Sequence, residues 1–188
     1  MNRFINLSYL FVITLLFVLG MISCERDETQ EIETQGKASA KINGMTWGAE
    51  VNTRHRGDKV SIIMTHFEEI DGMMVPWEDI GIVMVHKKED SIQRIFTRDS
   101  LLSTAPWLVT TVSGSFSTNQ ELGHVLCDYY KVIEQDSVNN WVRINQQKND
   151  FKKVWGSFSM HLYRTESCSS TIYPDTLLIT DGQFYFSL

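Results

Sequence analysis

Val154-Trp155-Gly156-Ser157-Phe158-Ser159-Met160-His161-Leu162-Tyr163 is the stretch that decides the fold. Its even positions carry Val154, Phe158, Met160 and Leu162, while the odd positions are mixed. A period of two belongs to a strand with one buried face and one partly wet face. Downstream, Thr176 to Phe186 repeats the pattern, with Leu178, Phe184 and Phe186 on one parity. Upstream, Trp141 to Asn145, Cys127 to Glu134 and Leu108 to Phe116 read as strands. So do the β-branched runs Ile80 to His86 and Val60 to His66. At the front, Ala38, Ala40 and Ile42 alternate with polar residues up to Asn43-Gly44, a dipeptide favoured in two-residue hairpins, and Met45 to Ala49 returns. Only Asp90-Ser91-Ile92-Gln93-Arg94-Ile95-Phe96 shows helical spacing, with Asp90 or Ser91 as N-cap. Eight or so short strands with turn-like joins predict an all-β domain. The expected architecture is an antiparallel β-sandwich or a small β-barrel, calycin-like in the latter case, with at most one or two short helical turns.

Ahead of these strands the chain changes character. Arg3 supplies a positive n-region and Leu10 to Leu19 is a short apolar stretch, which is the build of a signal peptide rather than a bilayer span. The stretch ends in Met21-Ile22-Ser23-Cys24, which resembles the lipobox of bacterial lipoproteins. That resemblance implies cleavage before Cys24, removal of residues 1–23, and lipid on the Cys24 thiol. Two or more acyl chains anchor stably, so the expected partner is a membrane, held through Cys24. Residues 25–36, Glu-Arg-Asp-Glu-Thr-Gln-Glu-Ile-Glu-Thr-Gln-Gly, contain one apolar side chain and cannot bury enough surface to fold. With Cys24 they form a lipidated acidic tether with a reach of roughly 20 Å. The acidic cluster resembles the surface-export signal of Bacteroidetes-type lipoproteins, which places the chain on the outer membrane, with its external face as the further expectation. Residues 37–188, about 150 in all, suffice for one β-rich domain.

The elements Ala40-Lys41-Ile42-Asn43-Gly44-Met45-Thr46-Trp47, Gly156-Ser157-Phe158-Ser159 and Ile179-Thr180-Asp181-Gly182-Gln183-Phe184 resemble small Bacteroidetes lipoprotein domains. The resemblance implies an all-β fold and no assigned activity.

The formal charge is −6, and loss of Arg3 with the signal peptide makes it −7. A phosphate-binding protein shows a basic stripe, whereas here the nearest feature is Lys152-Lys153, so nucleic acid is not an expected partner. With Cys24 lipidated, Cys127 and Cys168 remain as a pair in an oxidising compartment and invite a disulfide. Closing about 41 residues, it would contribute roughly 4 kcal/mol by the chain-entropy model; two unpaired cysteines are the alternative.

No catalytic motif stands out. Gly114-Ser-Phe-Ser and Gly156-Ser-Phe-Ser lack the second glycine of a nucleophile elbow, and their serines read as solvent-facing strand residues. The five histidines have no metal-ligand spacing, so no metal and no cofactor are expected. Glu68-Glu69, Glu78-Asp79 and Glu89-Asp90 read as solvated loop charges. Trp47, Trp141 and Trp155 fall in strand patterns, where packing is the default. Trp77 and Trp107 follow prolines in segments that read as loops, which makes them the expected ligand contacts. The function that follows is a non-catalytic module holding a glycan, a small apolar ligand or an envelope protein. A structural or assembly role is the alternative, and an envelope hydrolase built from Glu78, Asp79, His66 or His86 comes behind it.

Overall fold

A computed structural model describes residues 36–56, 59–85, 92–97, 112–146, 153–168 and 172–187. Cys24, the signal peptide and the tether up to residue 35 lie outside the described residues, as do Trp107 and His86. Ten strands are seen: β1 (Gly36–Ile42), β2 (Met45–Arg56), β3 (Lys59–Ile70), β4 (Met73–Val85), β5 (Ile92–Phe96), β6 (Val112–Gln120), β7 (Val125–Val132), β8 (Trp141–Gln146), β9 (Lys153–Glu166) and β10 (Thr176–Ser187). Gly36 already pairs with Phe186 and Val51.

The all-β expectation holds, and the pairing decides its form. Strand neighbours run β10-β1-β2-β3-β4-β6. Strand β6 then divides: Ser115 to Gln120 pair with β7, and Val112 and Ser113 pair in parallel with β5. Strand β9 divides in the same way, between β8 at residues 154–159 and β7 at residues 162–166. Because β9 also pairs with β10, and β5 with β8, the ladder returns to its start. The sheet is a closed barrel, in which every described strand has a neighbour on each side along part of its length.

A barrel of this size is just wide enough for its own side chains to fill. Tyr130, Phe116 and Phe158 are fully buried, and Ile62, Met64, Ile80, Ile82, Met160, Leu162, Leu177 and Ile179 pack with them at 0% exposure. The two Gly-Ser-Phe-Ser elements serve this interior. Phe116 and Phe158 enter the core, while a Cβ on Gly114 would lie 2.5 Å from Met160 Sδ. Ser159 departs from the solvent-facing expectation: it is 5% exposed and donates to the Ile179 carbonyl at 2.9 Å.

Four other expectations change, each for a local reason. Ile92 to Phe96 form strand β5 rather than a helix, since pairing with β6 and β8 overrides a weak local pattern. In β10 the register shifts between Ile179 and Gly182, around Asp181 at φ 53°. That bulge switches parity, so Leu177 and Ile179 point inward with Phe184 and Phe186, and Leu178 is left outside at 37%. Pro76-Trp77 lies inside β4 rather than in a loop. Pro76 sits opposite Phe67 where the register shifts between His66 and Phe67, so a residue without an N–H is placed where the ladder is already interrupted. Finally, Glu78 is not a solvated loop charge but a buried strand residue at 5% exposure.

The turns Asn43-Gly44 (φ 48° and 85°) and Asp71-Gly72 (φ 53° and 79°) both have the left-handed pair that two-residue hairpins require. Together with residues 121–124 they lie at one end of the barrel, here called the mouth. The opposite end holds Gly36, where β1 begins.

Between β7 and β8 a polar knot replaces a tight turn. Asn140, fully buried, donates from Nδ2 to the Ile133 carbonyl at 2.6 Å and accepts from His161 N at 2.7 Å. Asp136 accepts from Asn139 Nδ2 at 2.8 Å and lies 2.7 Å from His161 Nδ1. Hydrogen bonds from Asn139 and then His161 hold the Asp136 carboxyl below its ordinary value of 3.8. A depressed folded-state value contributes stability above the unfolded value, and that contribution disappears as pH falls through the folded one. Asp136→Asn should therefore flatten the loss of stability below about pH 4, as read from urea midpoints between pH 6 and 3.

Candidate functional site

Side chains from five strands meet a connecting segment in the mouth. Glu78 projects inward from β4, and its carboxylate accepts from Trp47 Nε1 and from the Tyr173 hydroxyl, each at 2.7 Å. A buried carboxylate needs such charge-assisted bonds to offset lost hydration. Tyr173 follows β9 in the segment that leads into β10 and packs edge-on against Phe116, 5.5 Å between centroids. The segment is clamped by its neighbours. Arg164 Nη1 donates to the Tyr173 carbonyl at 3.0 Å, Arg164 pairs with Asp175, and the Tyr130 hydroxyl donates to the Pro174 carbonyl at 3.0 Å. Burial, then the hydrogen bond to Glu78 and the nearby carboxylates, push the Tyr173 hydroxyl well above its ordinary value. It keeps its proton at neutral pH and donates to Glu78 in the mouth.

The acids and histidines singled out by sequence do not converge. His66 stands opposite Glu78 in register, yet its Nδ1 is 2.7 Å from the Gly48 carbonyl and so donates there. Asp79 faces the other side of the sheet, accepting from Thr65 Oγ1 at 2.7 Å and Asn119 Nδ2 at 3.0 Å. Trp77, half-buried in β4, neighbours this network in sequence and contributes no bond to it among the contacts described.

Cys127 and Cys168 are brought together. They form a disulfide with Cα atoms 4.9 Å apart, tying β7 to the chain just past β9 and thus to the root of the Tyr173 segment. Cys127, Asp128 and Cys168 offer atoms within 4.8 Å of one another, the spacing of a metal cluster. The disulfide bond engages both sulfurs, however, and a metal needs thiolates.

A second site lies on the outer wall, towards the end opposite the mouth. Across β1, β10, β9 and β8 the register sets Lys37, Tyr185, Trp155 and Asn145 in one row, and Ser39, Gln183, Ser157 and Arg143 in the next. A groove of about 690 Å³ runs over these rows, floored by Ala38, Gly156 and Phe184. Trp155 is 36% exposed and Tyr185 45%, although they are paired strand residues. Directly opposed residues on adjacent strands have Cβ atoms about 5 Å apart, so the two aromatic side chains stand side by side on the wall. Aromatic faces with amides, hydroxyls and an ammonium around them can hold a ligand by stacking and hydrogen bonding.

Sequence reading gave Trp155 to packing and passed over Tyr185. The usable signal was parity: Trp155 and Ser157, like Tyr185 and Gln183, fall on the wet face of their strands, where a large aromatic has no packing reason to be. No protein-family model, no curated protein and no solved structure matches this chain.

Proposed function

We propose that this chain is an envelope lipoprotein, held at the outer membrane by lipid on Cys24, whose barrel is a non-catalytic binding module that takes its ligand on the outer wall. The observation that carries the reading is the exposed Trp155–Tyr185 pair in the groove. The interior supports it from the other side, since the described core is filled by the barrel's own side chains and the mouth polar groups bond to one another. Of the ligand classes considered, a small apolar molecule inside the barrel is the least favoured on this packing. An envelope hydrolase has no supporting constellation among the described residues, where Glu78, Asp79 and His66 each bond elsewhere.

The assembly reading keeps one observation in its favour. Met45, Met73, Met74, Leu122, Val125 and Leu126 are 43–63% exposed around the mouth. Gly36 lies at the opposite end of the barrel, so lipid on Cys24 would leave this apolar rim available to an envelope protein.

Two outcomes test the proposal. Cys24→Ala should leave the product in the soluble fraction without incorporating labelled palmitate; continued membrane recovery would remove the anchor. A photo-crosslinking residue in place of Tyr185 should give an adduct in intact cells. The same residue in place of Tyr163, 41% exposed elsewhere on the wall, should give none. Absence of an adduct at position 185 would remove the binding face.

A further inference from the structure

We infer that the outer groove binds carbohydrate, the sugar chain of a glycolipid in the membrane that carries the anchor. The inference rests on the outer-wall binding face proposed above. The lining selects the chemistry. Tyr185 and Trp155 present flat, apolar faces with negative quadrupoles, and a pyranose ring offers the complement, one face of weakly positive C–H groups. Its hydroxyl edge needs both donors and acceptors, which Asn145, Gln183, Ser39 and Ser157 supply around the two aromatic side chains. The four strands span about 14 Å, room for a short run of sugar rings. Tyrosine and tryptophan also give rigid contact area at low entropic cost.

Other ligand classes fit less well. A purely apolar molecule would desolvate those amides and hydroxyls without replacing their hydrogen bonds. An extended peptide would dock by adding to a sheet edge, but Tyr185 and Trp155 stand on β10 and β9, which are paired on both sides there; among the described residues of the groove strands, 144–146 of β8 at the rim lack a partner on the β5 side. Nucleic acid requires several phosphate-binding cations, and among the described residues Lys37 is the one cation in the lining, with Arg143 at the end of the second row.

Position selects the source. Strand β1 starts at Gly36 and Lys37 lies in the groove, so the tether leaves from the groove's own margin. The dozen or so residues between Cys24 and β1 span roughly 20 Å by the chain statistics of such a sequence, so lipid on Cys24 keeps the groove within reach of sugar head groups.

The test uses the full-length lipidated protein in detergent. Its probes are the glycolipid fraction extracted from membranes of the producing cells and the polysaccharide released from that fraction by mild acid. Wild type should bind both. Trp155→Ala and Tyr185→Ala should each weaken binding about tenfold or more, some 1.4 kcal/mol, with the melting temperature unchanged, and Trp155→Phe should retain most of the affinity. No binding of either probe, binding of glycolipid but not of its polysaccharide, or indifference to Trp155→Ala would each overturn the inference. So would Trp155 shielded from solvent oxidation before any probe is added, because the tether or a second copy would then occupy the groove. If position 185 crosslinks in cells while neither probe binds, the binding face stands and carbohydrate falls; if both fail, both fall.

Discussion

Cys168→Ser is expected to lower the unfolding free energy by about 4 kcal/mol and the melting temperature by about 10 °C. The bridge spans 41 residues of sequence, so its loss returns that loop's freedom to the unfolded chain. Its position adds to this, because Cys168 fixes the chain between β9 and the Tyr173 segment. Cys127 is 6% exposed on β7, so the surviving thiol in the variant is inside. Reduction of the wild type under the same conditions should reproduce most of the loss and leave the variant unchanged. Urea unfolding with and without reductant checks both statements; a variant within about 1 kcal/mol of wild type would show that the staple is dispensable.

Gly156→Ala should destabilise by about 3 kcal/mol, a large effect for one methyl group on a strand. Gly156 faces Phe184 across the β9–β10 ladder and Ile144 across the β8–β9 ladder. An added Cβ would fall within contact distance of Phe184 Cζ and 2.6 Å from the Arg143 carbonyl oxygen. A ring can turn away, but a backbone carbonyl moves only with its strand. Phe184→Leu in the same chain should therefore recover part of the loss and not all of it, giving a double-mutant cycle with positive coupling. Full recovery would put the whole conflict on the ring. The glycine also thins the wall under Trp155 and Tyr185, so a core requirement shapes the floor of the groove.

Much of this architecture can be read from alternation alone. Val154, Phe158, Met160 and Leu162 point inward as their spacing predicts, and Asn43-Gly44 turns where it should. Asp71-Gly72 carries the same turn chemistry between β3 and β4, which made Pro76-Trp77 readable as strand had that signal been weighed. Other features are set by contacts distant in sequence. Ile92, Ile95 and Phe96 have helix-like spacing, and only β6 and β8 alongside make them a strand. Leu178 is outside because the bulge around Asp181, three residues on, changes parity. Glu78 is a buried acid on account of Trp47 and of Tyr173, which lies 95 residues away. The groove is harder still. Trp155 and Tyr185 become neighbours only once β9 and β10 are registered, and alternation within one strand says nothing of which strand lies beside it.

Hydroxyl-radical footprinting of the full-length protein, in its own membranes and after purification in detergent, distinguishes a ligand on the outer wall from one inside the barrel. Purified protein should oxidise readily at Trp155 and Tyr185, and these two should be protected in the membrane, with Trp47 and Tyr173 equally unreactive in both samples. Protection gained at Tyr173 or Trp47 in the membrane, with Trp155 and Tyr185 oxidised alike in both, would place the ligand in the mouth and contradict the account.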